Sequence, residues 1–379
     1  MRRAALGQPV DATNLSDINL LAFFMAKSKC CSRKMREYAM TIILTAANEI
    51  SPEPIDWLWP QYLARGMLHL VAGDPGSGKT TVTLDFVARL TQGEAFPDGT
   101  LSKKGHVLIW SGEESIQHVI IPRLIAAGAD LSQVRFIQGR VKDGEDQPFD
   151  PANDMEALRT EALKLDEISL VVFDPIVSII RRDSHKNAET RRDLQPVVDL
   201  AKELNCAVIG ITHFAKGTSG KNPLERIIGS VAFSAVTRLA FVVGKYALPD
   251  GSEVKRVFIR AKGVGQEGGG FLFKINEFEI RPDNKPIQTS VVSWGQRLTG
   301  SAQAILDEIE SAAKDASSSV LNEAVGFLKA ELKDGPMASS ELIDRARLEG
   351  FSKSTLRRAK DTGVAYAYKH GDAWYWSLN

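Results

Sequence analysis

The sequence has few of the residues from which disulfide frameworks and zinc sites are built. Its 379 residues include three cysteines, Cys30, Cys31 and Cys206, and no CxxC pair. Three cysteines cannot form a disulfide framework, which favours a reducing compartment and predicts a cytoplasmic protein. Without a zinc-binding pattern the sequence gives no support to zinc-dependent chemistry such as that of primases.

The sequence also lacks a net charge and a long apolar segment. Lysine plus arginine number 47 and aspartate plus glutamate number 47, so the formal net charge is zero. We therefore expect no uniformly basic, histone-like nucleic-acid binder, although local basic patches remain compatible with a zero sum. No apolar run reaches the ~18–20 residues that span a bilayer, so no membrane segment is expected. The short run Leu20–Met25 has no clear cleavage site, which disfavours a signal peptide.

The length and the composition along the chain predict several segments. At roughly 150 residues per domain the chain can hold two or three domains. Residues 1–50 are basic and show no periodic pattern. They are interpreted either as an extension upstream of a functional start near Met40 or as an N-terminal arm. Residues 281–317 are rich in Pro, Asn, Ser and Ala and predict a connector with one helix near Ala302–Ala313.

Residues 51–280 predict an α/β domain, because short apolar runs alternate with amphipathic stretches. Continuous Val, Ile and Leu runs are typical of strands covered on both faces, hence of a mainly parallel sheet flanked by helices. The last three runs are close together and separated by turn residues, so they should pair antiparallel. The predicted strands are Met67–Ala72, His106–Trp110, Val134–Ile137, Leu170–Asp174, Ala207–Thr212, Arg238–Gly244, Val254–Ala261 and Phe271–Ile275.

Residues 318–379 predict a separate, smaller domain, which we call the C-terminal unit. The pattern indicates three helices, at Val320–Leu332, Ser339–Glu349 and Ser352–Asp361, followed by two short aromatic strands, Val364–Tyr368 and Ala373–Leu378. This is the element order of a small C-terminal winged helix-turn-helix domain. Ser352 is the expected N-cap of the third helix.

The most specific motif follows the first predicted strand and matches GxxxxGK(S/T). Glycines let the backbone wrap a phosphate, while successive N–H groups and the following helix N-terminus point at the anion. Lys79 is predicted to bridge the β- and γ-phosphates of ATP, and the Thr80 hydroxyl to complete the shell of Mg2+. The predicted nucleotide-binding residues are Gly73, Asp74, Pro75, Gly76, Ser77, Gly78, Lys79, Thr80 and Thr81.

Polar residues end three further predicted strands. Asp174 follows four apolar residues and is predicted to hold the magnesium ion, through water. Glu113 and Glu114 are adjacent carboxylates, of which one should face the nucleotide as the base that activates water; we favour Glu113. His213 is predicted to sense the γ-phosphate and to couple it to the following loop.

Taken together, these residues resemble the RecA-like ATPases, specifically the RepA/DnaB-type hexameric helicase group of plasmids, phages and mobile elements. The resemblance covers roughly residues 55–280. Its markers are Trp57-Leu58-Trp59-Pro60, the Gly73–Thr80 loop, Gly112-Glu113-Glu114 with Arg123, Phe173-Asp174-Pro175, Thr212-His213-Phe214-Ala215-Lys216, and Gly229-Ser230 with Arg238. It implies Glu113 as base, His213 as sensor, and assembly into a ring or filament in which Lys262, or else Arg260, reaches the neighbouring subunit's nucleotide.

Basic residues suggest where DNA would bind. The resemblance implies that the loops after Asp174 and His213 face a central channel, and basic loops suit a single-stranded phosphate backbone. The alternative is ordinary solvated surface charge. On the third C-terminal helix the basic residues suit DNA, and a protein-docking role is the alternative. The candidates are Arg181, Arg182, Lys186, Lys216, Lys221, Lys353, Arg357, Arg358 and Lys360.

The functional hypothesis is a motor enzyme. It predicts Mg2+-dependent ATP hydrolysis coupled to single-stranded DNA in a homo-oligomer, expected to be a hexameric ring, with duplex DNA as a further partner of the C-terminal unit and no membrane. The competing hypotheses are an ATP-switched DNA-binding regulator or loader and a filament-forming recombination mediator, which would share the same nucleotide site.

Overall fold

The computed structural model describes residues 44–142, 144–181, 187–215, 221–227, 231–247, 254–265 and 268–379. The chain divides after Pro54 into two units. Within the described part of the first unit, one short helical turn, Ala47–Glu49, has no buried residue. Most of the predicted N-terminal arm, residues 1–43, lies outside the described residues.

The second unit, residues 55–379, contains the following elements in its described residues. Its strands are β1 (Trp57–Trp59), β2 (Leu63–Ala64), β3 (Met67–Gly73), β4 (His106–Ser111), β5 (Val134–Phe136), β6 (Gly139–Lys142), β7 (Glu145–Pro148), β8 (Ile168–Asp174), β9 (Ala207–His213), β10 (Leu239–Ala247), β11 (Val254–Lys262), β12 (Gly270–Ile280), β13 (Ile287–Leu298), β14 (Met337–Ala338), β15 (Ala365–His370) and β16 (Ala373–Leu378). Its α-helices are α1 (Lys79–Gln92), α2 (Ile121–Ala126), α3 (Met155–Ala162), α4 (Asn187–Glu203), α5 (Val231–Val236), α6 (Ala302–Glu331), α7 (Ser339–Leu348) and α8 (Lys353–Ala359).

Among the described residues, nine strands form one large sheet in the order β13-β12-β11-β10-β3-β9-β8-β4-β5. The strands from β10 to β5 are parallel, and β10, β11, β12 and β13 pair antiparallel in sequence. Apolar clusters cover both faces, one with helix α1 and the other with helices α3 and α4. The predicted fold class, an α/β sheet that is mainly parallel and flanked by helices, is confirmed.

Residues 281–317, which were predicted to be a connector, have a different structure. Strand β13 lies inside this segment and pairs with β12 along most of its length. Because an edge strand buries only part of one face, its apolar residues are sparse and the segment resembles a polar connector. The helix that follows is also longer than predicted: α6 runs without a break from Ala302 to Glu331. The serines at 317–319 are followed by neither glycine nor proline, so nothing forces the helix to end there.

The second half of α6 packs with the C-terminal elements around a separate apolar cluster that contains Leu328, Leu342, Leu356 and Trp376. A three-stranded sheet in the order β14-β16-β15 completes it. The helices and the hairpin follow one another in the order predicted from the sequence, with β14 in addition. The Ser352 side chain accepts a hydrogen bond from the Thr355 N–H, as an N-cap does.

No helix in the described residues combines the length and the apolar character that a membrane span requires.

A histidine at the centre of the sheet gives the fold a pH dependence. His69 on β3 is completely buried; the Ala64 N–H donates to its Nε2 at 3.0 Å, and its Nδ1 lies 3.0 Å from the Val208 carbonyl oxygen. These contacts fit the neutral ring with the proton on Nδ1, an assignment made from the hydrogen bonds. Burial lowers the pKa of His69 from 6.5 to about 4.

We expect the free energy of unfolding to fall as the pH drops from 6.5 towards 4. The unfolded chain takes up the proton first, because its histidine has the higher pKa, so the folded state loses about 3 kcal/mol across this window. Denaturant titrations at several pH values would measure the change. In His69→Gln the fall in this window should be smaller by that amount; an equal fall in both proteins would contradict the assignment.

Candidate nucleotide-binding site

The site lies at the carboxyl edge of the sheet, where four parallel strands end side by side. The register pairs Gly73 with His213 across β3 and β9, and Ser111 with Asp174 across β4 and β8. Because the loops that follow parallel strands all lie at the carboxyl edge of the sheet, the polar residues after these strands lie close together. The structure thereby brings together Lys79, Thr80, Glu113, Asp174 and His213, each of which lies within 3.6 Å of at least one other.

The glycine-rich loop joins β3 to α1 and has a backbone that only glycine adopts without strain. Gly76 and Gly78 have φ angles of 70° and 105°. A Cβ on Gly73 would lie 2.2 Å from the Val243 carbonyl oxygen on the neighbouring strand β10. Helix α1 starts at Lys79, so its unpaired N–H groups border the loop. The predicted nucleotide-binding residues therefore form a strand–loop–helix unit of the kind that cradles phosphates.

Lys79 is held inside the loop. Its ammonium group donates to the carbonyl oxygens of Gly73 and Asp74 at 3.1 and 3.0 Å, and lies 3.3 Å from Nδ1 of His213. Burial lowers the pKa of Lys79, and the carboxylates of Asp174, Glu113 and Asp74 partly oppose this effect. A buried ammonium at a helix N-terminus suits an anionic ligand such as the phosphates of ATP.

Thr80 and Asp174 form the pair of oxygen ligands expected of a magnesium site. The Thr80 hydroxyl donates to Oδ2 of Asp174 at 2.7 Å. Asp174 is buried, and burial raises its pKa to about 6; the bond from Thr80 and the charge of Lys79 lower it, while Glu113 and Glu114 raise it. A hydroxyl and a carboxylate at this distance fit Mg2+, which prefers hard oxygen ligands. Such a cation would favour the ionised form of Asp174.

The two adjacent glutamates have different partners. Glu114 forms an ion pair with Arg123, with 2.6 Å between Oε2 and the guanidinium nitrogen. Glu113 instead points towards His213, with 3.6 Å between its Oε1 and Nε2 of the ring. His213 thus stands between Glu113 and Lys79. The sequence left the choice between the glutamates open, and this geometry favours Glu113 as the carboxylate that faces the loop.

One supporting element, the hairpin of β12 and β13, escaped the sequence analysis in part: a strand was predicted at Phe271–Ile275, but the second half of β12 and all of β13 were not. A Cβ on Gly78 would lie 2.6 Å from Cδ1 of Ile275, so β12 packs directly on the loop. On β13, the Trp294 indole N–H donates to Oδ2 of Asp85 in α1 at 2.8 Å. The hairpin therefore contacts and supports helix α1, which begins at Lys79. The sequence signal for β13 is the alternation of Val292 and Trp294 on one face.

The two residues predicted to reach a neighbouring subunit are both engaged inside the chain. Arg260 is 5% exposed; its guanidinium donates to the carbonyl and side-chain oxygens of Gln61 and lies over the Tyr62 ring. These contacts engage the Arg260 side chain within the chain, and its contact with a neighbouring subunit stays a prediction. Lys262 is half-buried and donates to the Thr237 carbonyl oxygen at 2.8 Å.

The predicted DNA contacts fall into three groups. Arg182, Lys186 and Lys216 lie outside the described residues. Arg181 and Lys221 are exposed and follow β8 and β9; the Arg181 side chain donates to the Ala152 carbonyl oxygen at 2.6 Å. The four candidates of the C-terminal unit, Lys353, Arg357, Arg358 and Lys360, lie on α8 or directly after it.

Comparison with known proteins agrees with this geometry. Residues 36–219 match the family model described as AAA domain. The chain is also similar to the DNA repair protein RadA of Streptococcus pyogenes serotypes M3 (strain ATCC BAA-595 / MGAS315), M18 (strain MGAS8232) and M1. Each is 28% identical over 175 residues, which are 44% of this chain and 33% of the relative, so the chain spans about a third of the length of the curated relatives it matches. The mainly parallel sheet and the glycine-rich loop are those of a RecA-like fold, and the matched residues include both the loop and Asp174.

Proposed function

We propose that this protein is a Mg2+-dependent ATPase that couples ATP hydrolysis to binding of, or movement on, single-stranded DNA, as a RepA-like replicative helicase of a mobile element does. The observation that carries the proposal is the convergence of Lys79, the Thr80–Asp174 pair and the Glu113–His213 pair at one edge of the sheet. This constellation supplies an anion-binding lysine, oxygen ligands for a cation and a carboxylate base.

The roles of the residues follow from their positions. When bound, ATP supplies an electrophilic phosphorus, and Mg2+ neutralises charge on the phosphates. Lys79 and the loop N–H groups would orient the phosphates, and Thr80 and Asp174, which are hydrogen-bonded to each other, would hold the cation. The Glu113 carboxylate orients a water molecule and accepts its proton. His213 lies between Glu113 and Lys79, so it is suited to transmit a change in charge at the loop to the residues after β9.

Three observations support DNA as the partner. The chain is similar to a protein described as a DNA repair protein. Exposed basic residues, Arg181 and Lys221, follow the strands that end at the nucleotide site. The C-terminal elements, residues 318–379, have the order of a winged helix-turn-helix domain, and we assign them to it. Assembly into a hexameric ring, with Lys262, or else Arg260, as the candidate for contact with a neighbouring nucleotide, is part of this proposal.

The similarity to a protein described as a DNA repair protein favours a second candidate that is not a helicase, namely a recombination mediator or ATP-switched DNA-binding regulator with the same ATPase core. The two functions differ in what they do with DNA. A helicase separates a duplex that carries a single-stranded tail, whereas a mediator or regulator binds DNA without separating strands. Electron microscopy of rings or filaments would add a second criterion.

We expect single-stranded DNA to accelerate ATP turnover by at least several-fold, because basic loops follow the strands that carry Asp174 and His213. Phosphate release measured with and without oligothymidylate, at equal protein concentration and with Mg2+ present, tests this expectation. Asp174→Asn provides the control, because it should remove turnover in both conditions. A rate that does not change with DNA in a folded oligomer would contradict the motor hypothesis.

A further inference from the structure

The C-terminal unit contains a pocket of about 380 Å³ between helices α7 and α8 and the β15–β16 hairpin. Three basic residues, Lys353, Arg357 and Lys360, line it from the side of α8, and two tryptophans, Trp374 and Trp376, line it from β16. We call it the C-terminal pocket. Its volume falls within the range of about 300–1,000 Å³ of small-ligand sites, so it can hold one small planar group with its charged substituent.

The basic side of the pocket is built by helical spacing. Positions 353, 357 and 360 lie on one face of a helix, which directs three cations into the same space. Lys360 is partly compensated, since its Nζ lies 3.1 Å from the Asp361 carboxylate. Within the described residues, Lys353 and Arg357 form no ion pair and are exposed, so their charges are available to an anion. Arg358, on the same helix, does not line the pocket.

The aromatic side of the pocket offers an open ring. Trp376 is 6% exposed and belongs to the C-terminal apolar cluster, whereas Trp374, two residues before it on the same face of β16, is 55% exposed. Lys369 is paired with Trp374 across the hairpin, so its side chain lies on the same face. An indole left open to water beside several cations suits a planar, uncharged ring that carries a negative group.

We propose that the C-terminal pocket binds one unstacked nucleotide of single-stranded DNA, with the base on Trp374 and the adjoining phosphates on Lys353 and Arg357. The inference rests on the proposed action on DNA and assigns it a second contact site outside the ATPase domain. A duplex fits less well, because its bases are stacked and present only their edges, whereas Trp374 needs a base face. An acidic peptide would satisfy the cations but would leave the indole uncovered.

The test measures binding of fluorescently labelled oligothymidylate to the unmodified protein, to three pocket variants and to one control variant. Trp374→Ala should weaken binding about tenfold, since base stacking is lost, and Trp374→Phe should retain most of the affinity. Arg357→Ala should weaken binding and lower the salt dependence by about one phosphate contact. The matched control is Arg347→Ala, because Arg347 is an exposed arginine of α7 that does not line the pocket.

A cross-linking measurement locates the base directly. Irradiation of the complex with 5-iodouracil-substituted oligothymidylate should attach the base to the peptide that contains Trp374, and mass spectrometry identifies the attachment site. The inference is overturned if Trp374→Ala and Arg357→Ala bind as the Arg347→Ala control does. It is also overturned if unlabelled duplex or polyglutamate displaces the oligonucleotide as effectively as unlabelled single strands do.

Turnover of the unmodified protein separates this inference from the proposed function. If single-stranded DNA does not stimulate phosphate release by the unmodified protein, the proposed function fails. If it does, and the pocket variants still bind as the control does, the pocket alone fails and DNA contact belongs to the ATPase domain.

Discussion

Glu113→Gln should lower ATP turnover by about 10²- to 10⁴-fold, the usual contribution of a general base, and leave nucleotide binding nearly unchanged. The substitution keeps the size of the side chain and removes the carboxylate that would accept the proton of water. The side chain is about half exposed and faces His213, so its replacement should not disturb the core. Steady-state phosphate release and binding of a fluorescent ATP analogue measure the two quantities separately.

Glu114→Gln is the matched control, because it makes the same chemical change one residue later. Glu114 is bound to Arg123 on α2, so this variant loses part of an ion pair and should keep most of its turnover. A modest decrease in stability is expected, as for other partly exposed ion pairs. The opposite pattern, in which Glu114→Gln is inactive and Glu113→Gln is active, would move the base to Glu114.

The nucleotide site could be predicted from the sequence because its residues occupy the ends of strongly apolar strands. The strands that end at the site are short apolar runs rich in Val, Ile and Leu, and the topology of a parallel sheet places the residues that follow them at one edge. For this reason Asp174 and His213, far apart in sequence, could be assigned to the same site as Lys79. The contacts of Lys79 with His213 and of Thr80 with Asp174 are consistent with that expectation.

The residues that the sequence could not resolve depend on long-range contacts. Arg260 is buried because Gln61 and Tyr62, about 200 residues earlier in the chain, lie against it. The residues that neighbour Arg260 in the sequence do not distinguish a buried arginine from one at a subunit interface. The choice between Glu113 and Glu114 likewise depends on Arg123, whose position on α2 brings it to Glu114. Because Glu113 and Glu114 are adjacent and of the same residue type, the sequence pattern does not show which of the two side chains points towards the nucleotide site.

The edge strand β13 is a third feature that could not be predicted from the sequence. Strand β13 buries Val292 and half-buries Trp294; half of its other residues are exposed and the rest are only partly buried, so the hydrophobic pattern is weak. Its position is fixed by pairing with β12 and by the bond from Trp294 to Asp85, neither of which is encoded locally. The predicted boundary at residue 280 therefore falls at the turn of a hairpin that supports the nucleotide-binding loop.

Lys79→Met should abolish ATP turnover and weaken nucleotide binding by at least about 100-fold, because the variant retains the apolar stem of the side chain and loses the charge that pairs with the phosphates. In the absence of nucleotide, the free energy of unfolding should change little. Burial lowers the pKa of Lys79, which means that the charged ammonium group loses hydration free energy when the protein folds without nucleotide. The substitution removes this unfavourable contribution, which offsets the loss of the hydrogen bonds to the Gly73 and Asp74 carbonyl oxygens.

Thermal unfolding with and without Mg2+ and ATP distinguishes a ligand-binding role of Lys79 from a structural one, since only the unmodified protein should be stabilised by the nucleotide. Lys103→Met, which removes an exposed lysine outside the site, should behave as the unmodified protein does. A large loss of stability in nucleotide-free Lys79→Met would show instead that the lysine holds the loop together.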